Sequence, residues 1–254
     1  MTTLVDRLRH VTGAKGEFEV DVRSTYFQLR MAAGLIGALL PFVLVGWGLL
    51  HDVPWNRMSS LSSFYWLSLT PPIDSNALLR NWFVGSLIAV GCCLIVYQGY
   101  GRLEDWLLNF AGLAAIIMGL DPMPWPGRHT DPLNVHYLSA LTFFLLIGAT
   151  IWFCARDTLA QVHDPRVRRR WDRLYRILAV AMIAAPLAAF LLARKDQRTI
   201  WVEALGVWVF SSFWFSKTYE LSRVSEIEPA AGPAPTVRRI AGRLMVLRPG
   251  AAQG

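Results

Sequence analysis

Hydrophobic residues in this chain are concentrated in six long blocks that are separated by shorter polar connections. Each block is close to the roughly 20 apolar residues that a helix needs to cross a bilayer. None has the polar face that a helix on a soluble protein presents. Because unpaired peptide groups are costly in hydrocarbon, every block is predicted to be helical. The blocks cover residues 31–50, 82–98, 106–120, 137–155, 175–193 and 200–216.

The composition points to the same class of protein. Hydrophobic residues make up 54% of the 254 residues, charged residues only 17%, and 11 residues are Trp. This mixture is too apolar and too aromatic for most soluble domains. The sequence therefore predicts an all-α fold, a polytopic transmembrane helix bundle with six spans.

Lys and Arg are distributed unevenly between the connections. Of the 25 basic residues, 19 lie in the N-terminal segment, the second and fourth connections and the C-terminal segment. Basic residues are retained on the cytoplasmic side, so both termini are predicted to be cytoplasmic, in the cell (inner) membrane. Three parts follow: a cytoplasmic segment 1–30, a six-helix transmembrane domain 31–221, and a cytoplasmic linker with a basic tail 222–254.

The net charge of +7 is explained by this bias, and no nucleic-acid partner is expected. The bilayer itself is the predicted partner. Anionic lipid headgroups are expected to bind the Arg-rich connection 156–176 and the amphipathic stretch TVRRIAGRLMVL in the tail. The alternative for the tail is a disordered basic segment.

Small residues spaced three or four apart predict close helix packing in two blocks. They are Gly85, Ala89 and Cys92 in the second block, and Gly112, Ala115 and Gly119 in the third.

Polar residues fall near helix ends on the side that this topology places outside. They come from the SSLSSFYW segment, the start of the second block, and the segments around the third and fifth connections. We expect them to line a polar pocket at the outer leaflet: Ser62, Ser63, Tyr65, Arg80, Asn81, Asp121, His136, Ser139 and Glu203.

Two of these residues carry the strongest chemical signals. His136 lies three residues before Ser139 on one helical face, where a neutral imidazole can act as a base or a metal ligand. Its alternative role is an interfacial residue that is hydrogen-bonded to a loop. Glu203 lies just inside the sixth block, where an ionised carboxylate usually has a partner, such as Arg80 or His136, or a function. Its alternative is an exposed carboxylate that favours the helix dipole.

The remaining candidates also have structural explanations. Asp121 precedes Pro122, so a turn after a helix accounts for it. The serines of SSLSSFYW can supply a nucleophile or bind an oxyanion, or they can begin a helix or re-entrant loop. Lys217, at the other end of the sixth block, is expected to reach the cytoplasmic interface.

The order of several segments resembles a known group of proteins. SSFYW, RNWFVGSL, YQGYGRLEDWLLNFAGL, NVHYLSALTFF and WVEALGVWVFSSFWFSK follow one another between residues 25 and 221. This order resembles a group of uncharacterised bacterial six-helix membrane proteins. It is distantly similar to the CREST superfamily, which includes alkaline ceramidases and the adiponectin-receptor group.

The CREST resemblance implies zinc-dependent hydrolysis of lipids by a Ser, an Asp and three His. Ser62 or Ser63 matches the Ser, Asp121 the Asp and His136 one His, whereas the closing HxxxH of that pattern has no counterpart here. Glu203 lies in the last block and is the residue there that could replace a missing zinc ligand. Asp121, His136 and Glu203 are therefore the candidate zinc ligands.

The resulting hypothesis is a membrane protein with an outer polar pocket. If the protein is an enzyme, we expect a metal-dependent hydrolase of lipid amides or esters. Ser62, Ser63, Asp121, His136 and Glu203 are then the catalytic candidates. One alternative is a lipid or small-molecule binding protein, such as a sensor or permease component. Another is a membrane scaffold or accessory subunit.

Overall fold

The computed structural model describes residues 4–67, 78–124 and 134–227, and the surroundings of side chains only between residues 24 and 223. All regular structure in these ranges is helical. The helices are α1 (Leu4–Leu50), α2 (Phe64–Leu67), α3 (Leu78–Val96), α4 (Arg102–Leu120), α5 (Val135–Phe153), α6 (Pro165–Leu192) and α7 (Arg198–Ile227), with 3-10 turns at Trp55–Arg57, Asp157–Gln161 and Lys195–Gln197.

The predicted all-α class is confirmed, and the helices cover all six hydrophobic blocks apart from the last one or two residues of three of them. α1 runs without interruption from Leu4 to Leu50, across the boundary predicted at residue 30. At the other end α7 continues to Ile227, beyond the boundary predicted at residue 221. The amphipathic stretch of the tail lies outside the described residues.

Five helices in the described part of the chain are long and apolar enough to cross a membrane. α7 is not among them, since Glu203, Lys217 and three serines interrupt its apolar stretch. Large apolar side chains cover the outer surface of the bundle, such as Phe42, Ile183 and Leu191. A surface of this kind is unfavourable in water and suited to lipid chains. The chain therefore has the architecture of an integral membrane protein.

The six long helices form a closed ring. In order, α1 packs on α3, α3 on α4, α4 on α5, α5 on α6 and α6 on α7, and α7 returns to α1. α7 thus lies between two helices that are each long and apolar enough to span the bilayer.

α3 and α4 approach each other closely at Gly91 of α3 and Gly112 of α4. A Cβ atom added to either glycine would lie 2.6 Å from the backbone oxygen of the other. Gly112 and Gly119 on α4 were predicted as packing residues, and both face α3. The predicted face of α3 is wrong, because a Cβ at Gly85 would meet nothing within 4 Å and Cys92 is exposed.

We therefore expect Gly91→Ala and Gly85→Ala to have opposite effects on thermal unfolding in detergent. The methyl group at Gly91 forces two backbones apart, which costs about 1–3 kcal/mol. The same change at Gly85 meets open space and gains up to about 1 kcal/mol from helix propensity. Equal melting temperatures for the two variants would contradict the Gly91–Gly112 contact.

Candidate functional site

The connection between α1 and α3 folds back onto the end of α1. Asp52, two residues after the end of the helix, has a φ of 55°, in the left-handed region that Asp tolerates better than most residues. Gly48 lets the returning chain come close, since a Cβ there would lie 2.8 Å from the Met58 Cε atom. The next residues, up to Leu67, are therefore held against the bundle.

Two hydrogen bonds fix this returning segment to other parts of the chain. The Ile200 N–H donates to the Ser59 carbonyl oxygen at 2.9 Å, and the Trp66 indole N–H donates to the Met123 carbonyl oxygen at 2.7 Å. Leu61 and Phe64 are buried in an apolar cluster beneath. These contacts place Ser62 between α5 and α7.

Ser62 and His136 form the centre of a buried polar cluster. His136, 1% exposed, lies in the first turn of α5, where the Asn134 side chain accepts a hydrogen bond from the Tyr137 N–H and caps the helix. The His136 Nε2 atom is 3.0 Å from Ser62 Oγ, and its Nδ1 atom is 2.8 Å from the Asp121 carbonyl oxygen.

The Asp121 carbonyl sets the tautomer of His136. A carbonyl oxygen can only accept, so Nδ1 carries the proton and donates it. In the neutral ring Nε2 is then a free acceptor that faces the Ser62 hydroxyl. This is the arrangement in which a histidine can take a proton from a serine.

Glu203 completes the cluster from the first turns of α7. Its Oε2 atom accepts from the Leu61 N–H at 2.5 Å, and its Oε1 atom lies 3.3 Å from Ser62 Oγ. The Ser62 hydroxyl has only one hydrogen to donate. The hydrogen bonds between Glu203, Ser62 and His136 can therefore be arranged in two ways that have the same total number of protons. Either Ser62 donates to neutral His136 and accepts from protonated Glu203, or imidazolium donates to Ser62 and Ser62 donates to the carboxylate. The cluster can therefore pass one proton between Glu203 and His136 through Ser62.

The other predicted pocket residues take different places. Ser63 is buried, but its hydroxyl donates to the Ser60 carbonyl at 2.6 Å and closes a local turn. Arg80 lies over the ring of Tyr65, 5.6 Å from its centre, instead of pairing with Glu203. Ser139 is buried one turn after His136, and Asn81 is exposed. Of the predicted residues, Ser62, His136 and Glu203 are brought together by their side chains.

The expected metal ligands are not assembled as a set. Asp121 takes part through its backbone carbonyl, and its side chain is exposed. In the described ranges, no three His, Cys, Asp or Glu side chains gather closely enough to hold a metal ion. Only His136 and Glu203 of the three predicted ligands reach the cluster.

A second buried polar cluster lies towards the other end of α7. Lys217 was predicted to reach the cytoplasmic interface. It is instead buried inside the bundle and is only 1% exposed. Its ammonium donates to the Ala155 carbonyl at 2.7 Å and to Thr158 Oγ1 at 2.5 Å, and lies 3.1 Å from Glu220 Oε2. Glu220 also accepts from the hydroxyls of Thr158 and Tyr175.

Part of this second cluster has a signal in the sequence. Lys217 and Glu220 are three residues apart on one helix, the spacing of a side-chain ion pair. Thr158 and Tyr175 come from distant segments and carry no such signal. The cluster ties α7 to α6 and to the 3-10 turn Asp157–Gln161.

Removing only the cation of this cluster should destabilise the protein strongly. Lys217→Met leaves the Glu220 carboxylate buried without its ammonium, which costs about 3–5 kcal/mol. The double variant Lys217→Met/Glu220→Gln removes both charges and should recover much of the loss. Thermal unfolding in detergent measures both, and a double variant less stable than Lys217→Met would contradict the pairing.

Comparison with models of known protein families, with curated proteins and with solved structures gave no match to this chain.

Proposed function

We propose that the chain is an inner-membrane protein with six spans, in which α7 is the sixth and both termini are cytoplasmic. The position of α7 in the ring, between α1 and α6, supports this number of spans. Its polar residues do not argue against it, because Glu203 and Lys217 are both paired inside the bundle. The distribution of Lys and Arg supports the orientation.

Reporter fusions test this topology at residue 128, in the third connection, and at residue 165, at the start of α6. The reporter should be outside at residue 128 and in the cytoplasm at residue 165. A result that places both reporters on one side of the membrane would contradict the six-span arrangement.

We further propose that the protein hydrolyses an ester or amide bond of a membrane lipid, with Ser62 as nucleophile and His136 as base. One observation carries this proposal: His136 Nε2 faces Ser62 Oγ at 3.0 Å while Nδ1 is fixed on the Asp121 carbonyl. A serine alone is a weak nucleophile, and a base held within hydrogen-bond distance by a third group activates it.

The reaction follows from these contacts. Ser62 Oγ attacks the acyl carbon as its proton passes to Nε2 of His136, and the Asp121 carbonyl stabilises the imidazolium. The bond to the leaving oxygen or nitrogen then breaks, and that atom takes the proton from Nε2. Water attacks the acyl–Ser62 ester and gives a proton to His136. The fatty acid leaves, and Ser62 regains its hydrogen from Nε2.

The location of the cluster supports a lipid as the substrate class. Ser62 lies in the connection after α1, His136 in the first turn of α5, and Glu203 in the first turns of α7. These points share one end of the helical bundle, where acyl linkages of lipids lie in a bilayer. The resemblance to lipid amidases of the CREST superfamily favours the same class.

One contact favours a second function, the binding of a lipid or small molecule without chemistry. The Leu61 N–H is a donor next to Ser62 in the chain that could hold an oxyanion, and Glu203 Oε2 already occupies it at 2.5 Å. Hydrolysis that uses this N–H requires Glu203 to release it. In a binding protein the same contact simply holds the pocket in shape.

Labelling with a lipid-like fluorophosphonate, which reacts with activated serines, separates the two functions. Wild-type protein in bilayer nanodiscs should be labelled at Ser62, and Ser62→Ala should abolish labelling. His136→Ala should slow labelling by roughly 100-fold or more, because the base is lost. Ser63→Ala is the matched control and should be labelled like wild type, since the Ser63 hydroxyl serves a local turn.

Folding of each variant is checked by its melting temperature. If folded wild-type protein is not labelled, or if Ser62→Ala is labelled equally, the hydrolase proposal is wrong. The binding function is then favoured if wild-type protein retains a lipid that folded Glu203→Gln protein loses.

A further inference from the structure

The end of the bundle opposite Ser62 carries an open cleft of about 460 Å³. It lies between the end of α5, the 3-10 turn Asp157–Gln161 and the start of α6. Its volume is within the range of small-molecule sites in proteins. The cleft is lined by Phe153, Arg156, Asp157, Leu159, Ala160, Arg168, Arg169 and Asp172.

Arginine dominates the charge of this cleft. The Asp172 carboxylate is paired with Arg176 at 2.9 Å and lies 3.7 Å from Arg156. Arg168 and Arg169 are both exposed at the cleft, on the first turns of α6. The lining of the cleft thus holds three arginines and two aspartates. Arg176, outside this lining, already pairs with Asp172, so excess positive charge in the cleft is available to an anion. Guanidinium groups match the geometry of phosphate oxygens.

An apolar groove adjoins the cleft between α5 and α6. It has a volume of about 110 Å³ and is lined by Ile151, Trp152, Tyr175 and Ala179, together with Arg156 and Arg176. Arg156 therefore lines both cavities. Trp152 is 48% exposed on the outer, apolar surface of the bundle, so the groove runs along the side that lipid chains cover.

We propose that this pair of cavities is a binding site for one anionic phospholipid. The cleft takes the phosphate diester of the headgroup between Arg156, Arg168 and Arg169. The groove takes the first part of an acyl chain beside Trp152. The two-part shape distinguishes this site from a general attraction between the basic connection and an anionic leaflet, which needs neither a cleft nor a groove.

The test measures binding of phosphatidylglycerol to the purified full-length chain in neutral detergent, by native mass spectrometry, with phosphatidylcholine for comparison. Arg168→Gln/Arg169→Gln should lower the affinity for phosphatidylglycerol roughly 10- to 30-fold, because each arginine contributes about a factor of five to binding. Arg170→Gln/Arg173→Gln is the matched control, because it removes the same charge from exposed positions of α6 that do not line the cleft. The control should lose far less.

The groove is tested separately. Trp152→Ala should weaken binding of phosphatidylglycerol and leave binding of glycerol phosphate unchanged. Trp106→Ala, at an outer tryptophan that is 61% exposed and does not line the groove, should change neither.

Three results would overturn the proposal. Equal losses in the two double variants would indicate diffuse electrostatic attraction. Glycerol phosphate or inorganic phosphate bound as tightly as the lipid would identify a soluble phosphate as the ligand. Phosphatidylcholine bound as tightly as phosphatidylglycerol would show that the arginines do not select an anionic headgroup.

Discussion

The structure depends on the requirement that polar groups inside a bilayer bundle find partners within the protein. α7 meets this requirement twice. Glu203 bonds to the connection after α1, and about 21 Å further along the helix Lys217 and Glu220 bond to α6 and the turn before it. Since apolar packing gives little preference between helices in lipid, such bonds fix which neighbours α7 has. They hold α7 in its place in the ring.

The same requirement preorganises the candidate site. Ser62 lies in a connection rather than a helix, and a free connection would not hold a nucleophile in position. Glu203 holds the Leu61 amide, α7 holds the Ser59 carbonyl through Ile200, and Trp66 bonds to Met123. Two of these bonds join the connection to α7, and the third joins it to the segment after α4. The Ser62–His136 distance is therefore set by the bundle as a whole.

Much of the fold could be predicted from the sequence, because hydropathy determines which segments are helical in a bilayer. The three side chains that cluster, Ser62, His136 and Glu203, were also among those predicted to line the pocket, because polar residues at helix ends are conspicuous among apolar blocks. Contacts between helices were less readable: Gly85 and Gly91 have the same side chain, and only the rotation of α3 decides that Gly91 meets α4. Asp121 was chosen for its carboxylate, whereas its backbone carbonyl, which every residue possesses, bonds His136.

The two ends of the bundle are suited to different chemistry, and the difference is one of hydration. At the Ser62 end, His136 and Ser62 are almost fully buried and share protons among neighbouring groups. A low dielectric strengthens such bonds and favours proton transfer over the binding of ions. At the Arg156 end the arginines border an open cleft, where water can stabilise their charge. One end is therefore suited to reacting with a neutral acyl linkage, and the other to recognising a charged headgroup.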